Sequence, residues 1–350
     1  MELVNATPLA ARIDVGAPLE NGLRRGMIVA KATFSFDSRG SVQLDDQDPL
    51  PIFLEDVLTP QGLLPRDDMP RVDSVFEVSL LGCAHAPGGR PAQHMQVSMS
   101  VGEVRRSIEV FGDRFMVGEG ANAGATPAEP FTKMPLTWSR AFGGRADVEV
   151  DEGSPVRVQH AKNAYGKGFD VVAEANKLDE FRTCPPGFPR FDRRRALPNL
   201  ERPDQIIRTA FDDPEPVAWC PPPIDSGVHN LRCFKIIEEA GKPVRAEETA
   251  GLTHRAAPEW VLDAAPPAGT PIVLEGVTPE GRVELALPGL EVGFDYVIGG
   301  RAGSRQLALQ AMVMLPEERR FYLVYRLPFQ IEAPTGEERM GRLTIKKGGA

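Results

Sequence analysis

Hydrophobic and polar residues alternate most regularly in the segment HMQVSMSV, residues 94–101. Its alternate positions are apolar: Met95, Val97, Met99 and Val101. A period of two is the pattern of a strand with one buried face. The run VDSVFEVSLLGCAHA precedes this segment across the turn PGGRP, and VRRSIEVFGDR follows it after a short turn. Residues 72–111 therefore predict a three-strand antiparallel meander.

Other apolar runs come in pairs that are separated by turn residues. They predict β-hairpins over residues 27–44, near 270–288 and near 307–331. The segment VVAEANKLDEFR, residues 171–182, predicts a short helix with a thin apolar stripe. Prolines at 49, 51, 60, 65 and 70 predict a wrapping loop with short extended pieces. The terminal GRLTIKKGGA is basic, and we expect it to be a frayed tail.

Glycine and proline are abundant, with 34 and 33 of the 350 residues. Both weaken helices, and they punctuate residues 115–225 every few positions. The fold class that follows is mainly β, with antiparallel sandwich or meander lobes, long irregular Gly/Pro-rich connections and few short helices. We expect an N-terminal meander lobe that includes the irregular region, 1–226, and a C-terminal hairpin lobe, 227–350. One continuous domain is the alternative.

The net charge of −9 and the pI of about 5.3 argue against a nucleic-acid partner or an anionic membrane surface, which need a cationic face. A basic cluster at Arg190 and residues 193–195 is best interpreted as a solvated loop. The N-terminus has no signal-peptide pattern, and no window approaches the ~18 consecutive apolar residues of a membrane span. We therefore expect a cytoplasmic protein without membrane insertion, whose cysteines are reduced thiols.

Candidate catalytic patterns are weak. Cys83 and His85 form a possible nucleophile–base pair, but no orienting third group is identifiable, and a buried thiol beside a turn histidine fits better. The five histidines and four cysteines match no metal-ligand spacing. The glycine pairs fit no phosphate-binding loop. We expect no catalytic residue, no metal and no cofactor.

Four segments of the central region stand out because they mix aromatic, charged and glycine residues. In chain order they are PFTKMPLTWSRAFGG (130–144), NAYGKGF (163–169), LPNLERPDQIIR (197–208) and DPEPVAWCPPPI (213–224). Together they resemble the bacterial domain-of-unknown-function family 2169. The upstream segment 80–114, which ends in F-G-D-R, is similar to the same family, and the C-terminal strands resemble it more loosely. The resemblance covers nearly the whole chain.

That resemblance implies a non-enzymatic role. Members of the family are regarded as adaptors or chaperones that bind a type VI secretion effector and load it onto the spike or spike-tip protein. The motif positions, which either contact a partner or brace the fold, are Trp138, Arg140, Phe142, Gly143, Gly144, Asn163, Gly166, Gly168, Pro198, Asn199, Glu201 and Pro203.

The bracing interpretation is slightly favoured. It pairs Arg140 with Glu201, lets Asn199 cap a turn and packs Trp138 on the meander. The alternative function is a β-sandwich protein that binds or cleaves carbohydrate. That function requires carboxylates converging in a cleft beside an exposed Trp138 or Trp219.

Overall fold

The computed structural model describes residues 2–18, 23–67, 75–118, 123–149, 155–169, 194–223, 234–239, 242–248, 255–298, 301–332 and 339–347. The regular elements of these residues are strands, apart from single turns of 3-10 helix at Pro87–Gly89, Trp138–Arg140, Pro258–Trp260 and Pro316–Glu318. The mainly β fold class predicted from the sequence is confirmed.

The strands of the first half of the chain are β1 (Glu2–Asn5), β2 (Ala10–Pro18), β3 (Leu23–Phe36), β4 (Val42–Leu44), β5 (Val57–Thr59), β6 (Gly62–Leu64), β7 (Phe76–Leu80), β8 (Cys83–His85), β9 (His94–Val101), β10 (Val104–Phe111), β11 (Phe115–Val117), β12 (Gly124–Ala125), β13 (Lys133–Pro135), β14 (Phe142–Gly143), β15 (Arg145–Glu149), β16 (Pro155–Gln159) and β17 (Lys167–Gly168). Those of the second half are β18 (Arg194–Ala196), β19 (Leu200–Glu201), β20 (Phe234–Glu239), β21 (Lys242–Glu248), β22 (Val261–Leu262), β23 (Pro271–Glu275), β24 (Arg282–Ala286), β25 (Leu290–Ile298), β26 (Arg301–Gln306), β27 (Ala308–Leu315), β28 (Arg320–Glu332) and β29 (Arg339–Lys347).

The largest sheet has the order β2-β3-β28-β27-β7-β22, with β4 attached to β3. Strands β3 and β28 pair antiparallel along their length, and β7 runs parallel to β27. Every residue from 27 to 34 of β3 is buried. Both faces of this strand are therefore covered, which explains why MIVAKATF is a nearly continuous apolar run and shows no alternation.

A second sheet has the order β19-β10-β9-β23-β24. The four alternating apolar residues of β9 are buried, as their period of two predicts. The opposite face holds His94 and Gln96, which both hydrogen-bond to Glu109 on β10. Apolar residues of both sheets belong to one continuous core, so the two sheets enclose the main hydrophobic interior.

The three predicted hairpins are confirmed as β3–β4, β23–β24 and β27–β28. The predicted meander is only half right. β9 and β10 form a hairpin, but β7 pairs with β27 and β22, and β8 pairs with β13. All five residues of β7 are buried, and a strand covered on both faces needs an interior position in a large sheet.

The predicted frayed tail is also wrong for residues 339–347. They form β29, which lies between β25 and β1 in a four-stranded sheet of order β1-β29-β25-β26. Leu343 is fully buried, and the ring of Phe294 occupies the space that a side chain at Gly341 would need. The apolar positions of GRLTI thus anchor the segment.

The predicted helix at 171–182 lies outside the described residues.

Strands from before and after residue 226 share the two large sheets. In the largest sheet β3 pairs with β28 and β7 pairs with β27, and in the second sheet β9 pairs with β23. Sheets that combine both parts of the chain are the arrangement expected for one continuous domain.

The proline-rich loop after β4 is fastened to the largest sheet by a buried ion pair. The Lys31 Nζ atom lies 2.5 Å from the Asp67 Oδ2 atom and donates to the Pro51 carbonyl at 2.7 Å. The same ammonium lies 3.6 Å from the centre of the Phe53 ring. Burial lowers the pKa of Lys31 to about 8. The carboxylate also accepts the Phe53 N–H at 2.7 Å, so Asp67 joins both ends of the loop to β3.

Replacing Asp67 with alanine leaves the buried Lys31 ammonium without its carboxylate. We expect this variant to lose about 3–5 kcal/mol of unfolding free energy, the usual cost of breaking a buried pair from one side. Urea denaturation followed by circular dichroism measures the loss. The double variant Lys31→Met/Asp67→Ala is expected to be more stable than Asp67→Ala alone. A loss below about 1 kcal/mol in the single variant would contradict the fastening role.

Candidate functional site

The first central motif places Trp138 inside the core. Trp138 starts the 3-10 turn between β13 and β14, and only 4% of its surface is exposed. Its indole Nε1–H donates to the Cys220 carbonyl at 2.8 Å, which connects the first motif to the fourth. The other two tryptophans, Trp219 and Trp260, are fully buried and meet edge to face. The three rings therefore act as internal anchors.

Asn163, from the second motif, holds the first motif in shape. This residue is fully buried, and its Nδ2 group donates to the carbonyls of Trp138 at 2.8 Å and Phe142 at 2.9 Å. Its Oδ1 atom accepts the Tyr165 N–H, and its own carbonyl accepts the Gly144 N–H. An asparagine thus supplies hydrogen bonds to buried backbone groups that lie outside any sheet ladder.

The glycines of the two motifs permit close backbone contact. Strands β14 and β17 run parallel and pair Phe142 with Lys167 and Gly143 with Gly168. Gly143 has a φ of +140°, and a Cβ atom there would lie 2.0 Å from the Asn163 carbonyl oxygen. At Gly166 a Cβ atom would lie 2.5 Å from the Ala141 carbonyl oxygen. Only glycine fits these two positions without moving the backbone.

The third motif joins this unit through Asn199 and Asp113. The Asn199 Nδ2 group donates to the Phe111 carbonyl and to the Asp113 carboxylate, both at 3.0 Å. Arg140 donates to the Asn199 Oδ1 atom at 3.0 Å, and the Lys167 Nζ atom lies 3.1 Å from Asp113. Hydrogen bonding from Asn199, followed by that from Lys167, holds the pKa of Asp113 below its ordinary value.

The expected ion pair between Arg140 and Glu201 is wrong. Glu201 is buried and pairs with Arg114, whose guanidinium lies 3.7 Å from the centre of the Phe111 ring. Arg140 lies at the partly exposed end of its turn, where its backbone carbonyl accepts the Asn199 N–H, so its side chain reaches Asn199 and Asp113. Burial raises the pKa of Glu201, and the adjacent Arg114 opposes that rise.

Phe142 and Glu201 both support the loop that follows the third motif. Phe142 belongs to a small apolar cluster with Met116, Leu197 and Ile207. The second carboxylate oxygen of Glu201 accepts the Ile207 N–H at 3.0 Å. The motif unit therefore fixes the start of the loop 207–215.

The middle of this loop carries an exposed aromatic side chain. The Asp212 Oδ2 atom accepts the N–H groups of Arg208 at 2.7 Å and Thr209 at 2.8 Å, which lower the pKa of Asp212. Phe211 lies between Thr209 and Asp212 in the chain, and 75% of its surface is exposed. A turn closed by its own side chains thus presents one aromatic ring to solvent.

The structure brings nearly all predicted motif positions into this one unit. Pro198 is buried, and its Cδ atom lies 2.8 Å from where a Cβ atom at Gly168 would stand. Gly144 contributes backbone hydrogen bonds to Asn163 and His160. Pro203 is exposed and lies apart from these contacts.

Sequence reasoning missed three contributors to the unit. Asp113 and Arg114 belong to the F-G-D-R segment that was noted as a motif but was given no partner. Phe211 carried no signal because a single aromatic residue in a polar loop has no periodic pattern. The F-G-D-R tetrad was the usable clue, since two opposite charges beside a strand end favour side-chain contacts with a neighbouring segment.

The cysteine–histidine pair is not arranged for thiolate chemistry. Cys83 is buried, and burial together with the nearby Glu317 carboxylate raises the pKa of its thiol to about 11. His85 directs its Nε2 atom to Glu317 at 2.7 Å. Burial raises the pKa of Cys220 to about 12. Both thiols are therefore protonated at neutral pH.

Across the described part of the chain, His, Cys, Asp and Glu form no group of three or more that could hold a metal ion. The same part contains no helix with the length and apolar character needed to cross a membrane.

A family model matches residues 21–326, which run from just before β3 to the middle of β28. The family is described as an uncharacterized protein conserved in bacteria (DUF2169). The match covers most of the chain, so this chain belongs to that family. No curated protein and no solved structure matches it.

Gly143→Ala is expected to destabilise the motif unit strongly, because both the positive φ and the Asn163 carbonyl oppose a side chain there. The matched control is Gly88→Ala, at a φ of +61° with no atom within 4 Å of its Cβ position. The control should lower the free energy of unfolding by about 1–2 kcal/mol, which is the cost of placing a non-glycine residue in the left-handed conformation. Thermal unfolding compares the two variants, and equal shifts would contradict the close-contact role of Gly143.

Alkylation of the native protein at neutral pH is expected to spare Cys83 and Cys220, because both thiols are buried and protonated. Peptide mass spectrometry after iodoacetamide treatment measures the modified fraction at each position. The unfolded chain in guanidinium chloride serves as the control and should react at both. Rapid native labelling of Cys83 would restore the nucleophile interpretation.

Proposed function

We propose that this protein is a non-catalytic adaptor or chaperone that binds a type VI secretion effector and helps to load it onto the spike complex. The family resemblance seen in the motifs implies this role, and membership of the bacterial family supports it. The observation that carries the proposal is that the motif residues contact one another inside the fold and support an exposed loop. They brace a framework and present an exposed aromatic side chain, Phe211, from a loop that Glu201 and Asp212 hold in place.

Such an arrangement suits protein binding. Aromatic side chains dominate the energy of protein interfaces, and a loop whose backbone is already held by hydrogen bonds loses less entropy on binding. The loop also carries the exposed acidic side chains of Asp213 and Glu215, which lie beside His160 and Lys162. Phe211 therefore suits a partner with an apolar pocket.

The carbohydrate alternative depended on exposed tryptophan rings beside converging carboxylates. Trp138 and Trp219 are buried, so neither offers a face for a sugar to stack on. The buried carboxylates of the motif unit and of the proline-rich loop, Glu201 and Asp67, each contact a basic side chain. These contacts favour the adaptor over the carbohydrate function.

Capture from the native host tests the proposal. The affinity-tagged protein is expected to retain a toxic effector, a spike or a spike-tip protein, identified by mass spectrometry. Deleting its gene is expected to abolish secretion of that effector. Retention of none of these partners, together with hydrolysis of a glycan panel by the purified protein, would overturn the proposal in favour of the carbohydrate alternative.

Phe211→Ala is expected to weaken retention of one of these partners about tenfold or more, since anchor residues at interfaces commonly contribute above 1.4 kcal/mol. The thermal unfolding of this variant should match that of the unmodified protein, because the ring contributes little to the core. Leu58→Ala, which removes another highly exposed apolar side chain on strand β5, is the control. If Phe211→Ala retains the partner as well as the unmodified protein does, the loop is not part of the interface.

A further inference from the structure

The four-stranded sheet ends in a strand with an available edge. Within the described residues β26 is hydrogen-bonded to β25 alone, so its other side presents backbone N–H and C=O groups. Its sequence, RAGSRQ, contains no proline, and most of its residues are exposed. An edge of this kind is a template for the addition of another extended segment.

Grooves lie on both faces of the sheet beside this edge. On one face a groove of about 820 Å³ includes Val4, Val297 and Ala302. On the other face a groove of about 420 Å³ includes Phe294, Tyr296 and Arg305, and it extends to the end of β28. An added strand directs alternate side chains to opposite faces, so one set would meet each groove.

The two faces differ in character. Arg301 and Arg305 are four residues apart on β26 and therefore share one face, the face on which Arg305 pairs with Phe294. Ala302 lies on the opposite face, beside Val297. The face with Arg301 and Arg305 thus offers two guanidinium groups. The opposite face offers the apolar side chains of Val4, Val297 and Ala302, with Asp295 and Arg342 beside them.

The charge of this sheet contrasts with that of the chain. Its strands contain six basic residues, Arg301, Arg305, Arg339, Arg342, Lys346 and Lys347, and three acidic ones, Glu2, Glu291 and Asp295. The balance of six minus three is +3, in a chain of net charge −9. Among the described contacts, Arg301 and Arg305 have no carboxylate within ion-pair distance. The two arginines of the edge strand itself, Arg301 and Arg305, favour an acidic partner.

We propose that the free edge of β26 is the cargo-docking site, and that it adds an extended segment of the effector in which acidic and apolar residues alternate. The acidic side chains face Arg301 and Arg305, and the apolar side chains enter the groove beside Val297 and Ala302. Main-chain hydrogen bonds supply affinity, and the two faces supply the choice of sequence. This inference rests on the proposed adaptor function and names the chemistry of its cargo.

Two synthetic peptides test the docking site on the full-length protein. One alternates aspartate and valine, and the other alternates lysine and valine. The aspartate peptide is expected to bind and to protect the amide groups of residues 301–306 from hydrogen exchange. The variant Arg301→Glu/Arg305→Glu should bind it at least about tenfold more weakly and should gain affinity for the lysine peptide.

Arg90→Glu is the matched control. Arg90 is an exposed arginine in the turn before β9, away from this sheet, and the change should leave both affinities unaltered. Equal loss in Arg90→Glu would indicate attraction by overall charge and would overturn the edge assignment. Binding of the aspartate peptide without protection of residues 301–306 would overturn it as well.

Host capture separates this inference from the adaptor function. If the unmodified protein retains an effector and Arg301→Glu/Arg305→Glu retains it equally, the edge assignment fails and the adaptor function stands. If the unmodified protein retains no effector, the adaptor function fails, and the peptide measurements then decide only whether the edge of β26 adds an acidic strand. Selective loss of the effector in the double variant would support both.

Discussion

The central region depends on hydrogen bonds between side chains and the backbone. The Nδ2 group of Asn163 donates two of them, to the carbonyls of Trp138 and Phe142. Irregular chain that lies against a core has buried N–H and C=O groups, and each one left without a partner is costly. Asn199 likewise donates to the carbonyl of Phe111, the last residue of β10, and to the Asp113 carboxylate. The glycines around Asn163 let the backbone come close enough for these bonds to form. Amide side chains and glycines therefore recur together in the motifs for one reason.

The sequence predicted the hairpins because their information is local. An apolar run, a glycine turn and a second run lie next to each other in the chain, and β3–β4, β23–β24 and β27–β28 formed accordingly. Pairings between distant strands were not predictable. The sequence of β7, FEVSL, does not specify β27 as its pairing partner, since many buried strands would satisfy the same apolar requirement.

The candidate site shows the same contrast between local features, which the sequence predicts, and long-range partners, which it does not. Its members were recognisable as motif residues, but their partners were not, because several arginines and carboxylates could pair equally well by sequence. Burial decided between them. The buried Glu201 pairs with the buried Arg114, while the half-exposed Arg140 stays with Asp113 and Asn199. The framework that results leaves an aromatic loop and a sheet edge available for contacts. The adaptor function proposed above, with an effector and a spike protein as partners, requires two surfaces.

The pairing of β3 with β28 has a consequence for how the chain is made. β3 lies near the start of the sequence and β28 near its end, and they are neighbours in the middle of the largest sheet. During synthesis β3 leaves the ribosome long before its partner exists, with a backbone edge unpaired and apolar residues on both faces. Contacts of such long range form slowly. The central pairing of the largest sheet can therefore form only after β28 has been synthesised, and until then the edge of β3 is open to other extended segments.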